Sequence, residues 1–168
     1  VIKRLSFSLG LILAMASSLD AVQGVEWVRV APAGADFSVM MPGKPKEETK
    51  GDSEYSSHSF SVMTDISVYL VEIGNYAPHV KIDPATELAG NRDNFVKGID
   101  GKLIESKEIV LDGHSGLEFT AENSHSLARC RVYVSGKRVY MLVAGVTKNQ
   151  DDSANVNRFL ASFAFTTS

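Results

Sequence analysis

Cysteine occurs once in the 168 residues, at Cys130, so no disulfide can form within the chain and the fold must rest on its hydrophobic core. Neither sign of charge dominates. Lys and Arg number 17 against 20 Asp and Glu, without the basic excess that marks a nucleic-acid binder. No apolar run reaches the roughly 20 residues of a membrane span. The four histidines form no H-x-x-x-H or H-x-H pair, and no Cys/His spacing suits zinc. Phosphate-cradling glycine loops, the G-x-S-x-G elbow and EF-hand loops are missing too. The sequence therefore nominates no catalytic residue, no metal ligand and no cofactor.

The first two dozen residues read as an address. Lys3 and Arg4 supply a positive start, and residues 5–16 are almost wholly apolar or small, as in the h-region of a secretory signal peptide. Small residues place cleavage after Ala16, Ala21 or Gly24, and the later two leave the apolar run whole. An uncleaved anchor is the competing reading, set back by the shortness of the run. The expected division is a signal peptide over residues 1–24 and one α+β domain over 25–168. Such a protein is exported, to the periplasm or the medium, and keeps no membrane span.

Within that domain, Trp27–Val30 and residues 37–41 are strand-like, and Pro42 and Pro45 stop the second run because proline cannot donate to a ladder. Residues 47–52 are charged and read as a solvated loop. Tyr55–Met63 and residues 66–73 are strands, the latter apolar at both parities and so covered on both faces. The period then changes. Asp83 caps a helix and Pro84 opens it, with Leu88, Phe95, Val96 and Ile99 as its apolar stripe and Gly98 and Gly101 at its end. Lys102–Leu111 is extended, and Asp112-Gly113 is a turn. A second helix carries Val156, Phe159, Leu160 and Phe163 behind Asp151 and Asp152, acids that suit its positive end.

Residues 116–146 are the most legible stretch. Leu117, Phe119 and Ala121 alternate with Glu118, Thr120 and Glu122 before a polar loop. Closing the hairpin with Glu122 against Leu127 sets Ala121 opposite Ala128, Phe119 opposite Cys130 and Leu117 opposite Val132. The reverse side then pairs Thr120 with Arg129 and Glu118 with Arg131. A slip of one residue would scramble every pair. Gly136-Lys137 is a two-residue loop of the type II′ kind, which sets Val134 opposite Val139, Tyr133 opposite Tyr140 and Cys130 opposite Val143. The product is a three-stranded meander with one apolar face.

Candidate chemistry is sparse. Cys130 lies in the apolar row, where a thiol is inert. Of the histidines His58, His79, His114 and His125, His114 beside Asp112 in a turn and His125 in a hairpin loop are expected to be solvated. The neighbouring acids Glu47-Glu48 and Asp151-Asp152 do not face each other, as glycoside chemistry would require. The remaining constellation is the meander's second face, where Glu118, Arg129, Arg131, Tyr133 and Tyr140 surround Leu142. Arginine with tyrosine is the composition of binding hot spots. The alternative is a ladder of cross-strand ion pairs with the tyrosines packed under a helix.

The 37–45 run Phe-Ser-Val-Met-Met-Pro-Gly-Lys-Pro, the Gly-Leu-Glu-Phe strand at 116–119, the hairpin around Arg131 to Leu142 and the closing Arg-Phe-Leu-Ala-Ser-Phe at 158–163 resemble exported bacterial domains of the PsbP-like class. The resemblance covers residues 37–165 and implies an α+β fold, an antiparallel β-sheet flanked by two helices in an α/β/α sandwich. Other proteins of that class, an extrinsic photosystem II subunit and a Ran-binding nuclear transport factor, are accessory proteins. Its motifs are structural, so none of their functional residues carries over. The expected function is a non-catalytic accessory or binding module that docks on a protein or envelope component. A small hydrolase with a site assembled from scattered loop residues, and a self-associating structural envelope protein, are the alternatives.

Overall fold

A computed structural model describes residues 25–166; the leader expected at 1–24 lies outside the described residues. Twelve elements follow in order: β1 (Trp27–Val30), β2 (Phe37–Pro42), β3 (Lys46–Gly51), β4 (Tyr55–Met63), β5 (Ser67–Tyr76), α1 (Pro84–Gly98), β6 (Lys102–Leu111), β7 (His114–Glu122), β8 (Ser126–Ser135), β9 (Arg138–Thr147), α2 (Ser153–Ser162) and β10 (Ala164–Phe165). Seven strands form one antiparallel sheet in the order β3-β4-β5-β9-β8-β7-β6, and β1, β2 and β10 form a smaller one. The chain has an α+β fold with two helices and a large antiparallel sheet.

The meander takes the register its alternation dictates. Glu122 pairs with Leu127, Phe119 with Cys130 and Glu118 with Arg131 across β7–β8. Tyr133 pairs with Tyr140 and Cys130 with Val143 across β8–β9. Gly136 turns the second hairpin at φ 58°, a left-handed angle that glycine adopts without steric cost. At the β6–β7 turn both Asp112 (φ 51°) and Gly113 (φ 81°) are left-handed, the pattern of a type I′ turn.

Alternate residues of β9 enter two different cores. Tyr140, Leu142 and Ala144 pack with Val156, Phe159 and Leu160 of α2 and with Val39 and Met41 of β2. Val139, Met141 and Val143 pack with Leu88 and Phe95 of α1 and with Phe119 and Cys130. This alternation is the two-residue period of a strand. It explains why residues 66–73 are apolar at both parities: Tyr69 and Val71 join the α2 core, and Leu70 joins the α1 core. At α1, Asp83 accepts the Thr86 N–H at 2.8 Å, and Pro84 occupies the first turn, as expected.

Three features differ from the sequence reading. Residues expected as a charged loop are strand β3, all of it exposed, paired with β4 through Glu48 opposite Ser59. An edge strand solvated on both faces carries charge instead of an apolar alternation, so no periodicity betrays it. The two residues of β10, paired with Phe37 and Ser38, are too few to show a period. Asp152 stands at the α2 N-cap but makes no cap bond; its carboxylate turns to the sheet instead.

Candidate functional site

The five residues of the nominated face lie on the side of β7–β9 that turns toward α2, but they do not share one environment. Tyr133 and Tyr140 are buried. Tyr133 stacks on Phe163 with ring centroids 5.6 Å apart and planes 5° from parallel. Tyr140 donates to Asp36 Oδ1 at 2.7 Å, and Arg138 Nη1 reaches Asp36 Oδ2 at 2.7 Å. Partial burial alone would raise the Asp36 carboxyl, but the Tyr140 hydroxyl and the Arg138 charge hold it below its ordinary value. Both tyrosines are thus interior groups, closed off by the chain's own final helix and strand.

Glu118, Arg129 and Arg131 lie at the margin of α2. Glu118 keeps only 13% of its side chain exposed, and it receives Arg131 Nε at 2.6 Å and Lys107 Nζ at 2.8 Å. Burial works against its charge, yet the bonds from Lys107 and Arg131 outweigh it and lower the pKa. Arg131 also donates through Nη1 to the Leu160 carbonyl at 2.9 Å. That carbonyl sits in the last turn of α2, where helix geometry leaves acceptors unpaired. Arg129 Nη1 reaches Asn157 Oδ1 at 2.6 Å. The two arginines therefore lace α2 to β8.

Beyond Arg129, a cleft of about 280 Å³ opens between the end of β9 and the start of α2. Leu127, Val146 and Val156 line it together with Arg129, Glu122 and Lys148. Leu127 is 41% exposed. Lys102 and Lys148 hold Glu122 at 2.9 and 3.3 Å, and their hydrogen bonds lower its pKa. At the far side Asp152 Oδ2 accepts from Ser67 Oγ at 2.5 Å and from the Tyr69 hydroxyl. Burial and this bond push the Tyr69 phenol well above its ordinary range. Apolar side chains beside paired cations and carboxylates suit recognition of an amphipathic surface.

Of the residues nominated from the sequence, Arg129 lines this cleft, and the sequence did not point to the cleft itself. Glu122, Leu127 and Val146 form one row of the meander register, and that signal was available in the pairing. The bonds from Asp152 to Ser67 and Tyr69 span 85 and 83 residues, a separation that no local pattern reports.

The remaining candidates are dispersed. Cys130 is fully buried and its thiol is pushed far up by desolvation, which removes the thiolate a nucleophile needs. His58 lies 3.3 Å from Glu47 and His79 lies 3.0 Å from Glu54, both pairs on exposed surface outside the cleft. His114 packs against the Phe165 ring at 4.2 Å, and His125 Nδ1 lies 2.7 Å from Ser124 Oγ.

Comparison of the whole structure with solved ones gives a match to the solution structure of cyanobacterial PsbP (CyanoP) from Synechocystis sp. PCC 6803. The TM-score is 0.60 at 13% identity, over 89% of this chain and 98% of that one. A crystal structure from Bacteroides thetaiotaomicron VPI-5482 matches at TM-score 0.35 and 11% identity, over 79% of this chain and 46% of that one. No protein-family model and no curated protein sequence matches. The chain has a PsbP-like fold.

Proposed function

We propose that this chain is an exported accessory module of the PsbP type, its large sheet layered between α1 and α2 in an α/β/α sandwich. It docks on a protein or envelope component through the cleft beside Arg129. The observation that carries this reading is the half-exposed Leu127 and its Val146 neighbour lining one cleft with Arg129, Lys148 and Glu122. Core apolar groups with a charged rim are the anatomy of a protein interface. Arg131 and Glu118 contribute by fixing the wall of α2 along which the partner would lie. The PsbP-like fold supports an accessory role by analogy, and the apolar leader at residues 5–16 supports export.

The test is a quantitative pull-down from the host envelope with wild-type protein, a Leu127→Asp/Arg129→Glu variant and a Glu47→Lys control on the distant β3 edge. Recovery of a discrete partner should fall at least tenfold with the first variant and stay unchanged with the control. Equal recovery by all three proteins, each confirmed folded by circular dichroism, would remove the cleft from the interface.

A further inference from the structure

Among the described residues, two buried side-chain polar atoms lack a hydrogen-bond partner, Tyr55 Oη and Asn91 Oδ1. Both belong to one seam between α1 and the sheet. The Tyr55 ring lies 4.9 Å from that of Tyr76. Tyr76 donates to Glu87 Oε1 at 2.6 Å, and Asn91 Nδ2 donates to the same oxygen at 3.0 Å. Tyr55 thus lies against one partner of the Tyr76–Glu87 bond and Asn91 against the other. Buried polar groups are overwhelmingly paired, so two unmet oxygens in one place call for an explanation.

The surrounding residues show that the oxygens are held there by design of the local structure. Asn91 is 3% exposed and lies between Leu88 and Phe95 on the buried side of α1, the side that packs on the sheet. Exchanging its amide oxygen and nitrogen would set an oxygen against the Glu87 carboxylate and carbonyl, so Oδ1 is the free end. A Cβ at residue 74 would stand 2.1 Å from Tyr55 Oη, so this hydroxyl sits on β5 where only glycine leaves room. Glu72, two residues along the same face, carries a half-buried carboxylate. Burial raises its pKa, countered by the Ser57 hydroxyl and the Lys50 charge.

The geometry points to a cation site in this seam, at which Tyr55 Oη, Asn91 Oδ1 and the carboxylates of Glu72 and Glu87 take a small cation. A bare metal ion and an ammonium head share that chemistry. Both are bound by oxygen acceptors, and both gain from negative charge held in partly desolvated surroundings. No nitrogen or sulfur ligand joins the set, so the site favours hard cations over zinc or copper.

The experiment follows thermal unfolding by circular dichroism in chelator-treated buffer, with separate titrations of calcium, magnesium, potassium and methylammonium chloride. At a hundredfold excess over Kd, at least one salt should raise the midpoint by about 5–10 °C, and which salt does so separates metal from ammonium. Tyr55→Phe removes an unpaired hydroxyl and should unfold no earlier than wild type without salt, whereas Asn91→Leu also gives up its two bonds to Glu87 and should unfold somewhat earlier; both should lose the salt-induced rise. No rise with any of the four salts, or an equal rise in both variants, would overturn the proposal.

Discussion

Arg131 reaches from β8 to the closing turn of α2, where its Nη1 donates to the Leu160 carbonyl at 2.9 Å while its Nε holds Glu118 at 2.6 Å. One side chain thereby joins the sheet, the helix terminus and a nearly buried carboxylate. Replacing Arg131 with alanine leaves Glu118 only the exposed Lys107 and strips the Leu160 carbonyl of its donor. The expected cost is about 1–3 kcal/mol, read from urea denaturation midpoints at constant slope. A double-mutant cycle with Glu118→Gln should return a coupling of roughly 0.5–3 kcal/mol.

The same pair sets an acid limit. Glu118 has its pKa lowered from an ordinary 4.5 in the folded protein. Its contribution is therefore complete above the unfolded value and is lost as pH falls through the folded one. Stability should decline below about pH 4.5, and Glu118→Gln should flatten that part of the profile. An unchanged acid limb in the variant would assign the loss to other carboxylates.

At the opposite end of α2, Asp152 replaces an ordinary cap with bonds to Ser67 and Tyr69. Tyr69→Phe removes one bond without changing packing volume and should cost about 1 kcal/mol. Asp152→Ala should cost more, and hydrogen exchange should quicken first at residues 153–156. Uniform exchange across the helix would show that these bonds do not anchor its start.

Cys130 provides a direct probe of the core. With its thiol buried and its pKa raised by desolvation, labelling by a disulfide reagent should wait on unfolding. Denaturant should accelerate labelling in step with loss of structure, and Cys130→Val should fold normally. Rapid labelling of the native protein would contradict the pairing of Cys130 with Phe119 and Val143.

How much was legible in the sequence varied with the physics of each element. The meander register was readable because its apolar residues alternate against charges, and a wrong register would expose Phe119 and bury Glu118. The start of α1 was readable because Asp83-Pro84 is a local cap signal. Strand β3 was hidden because an exposed edge obeys no burial pattern. The nominated face was readable in composition, and of its two readings the structure shows the second: a cross-strand Glu118–Arg131 pair beside tyrosines packed under α2 and β10. Which reading held depended on Phe163 and Phe165 folding over Tyr133 and Tyr140, a long-range contact with no local signal. The cleft was hidden because its far wall comes from a loop and helix whose placement depends on long-range bonds to Asp152.

The most direct test of the docking reading is site-specific photo-crosslinking in the native envelope, with a benzophenone side chain placed at Leu127 or at Thr49 on exposed β3. A discrete heavier adduct is expected from position 127, abolished by Arg129→Glu and missing from position 49. The same adducts from both positions, or none from 127 in a folded and exported protein, would contradict the assignment.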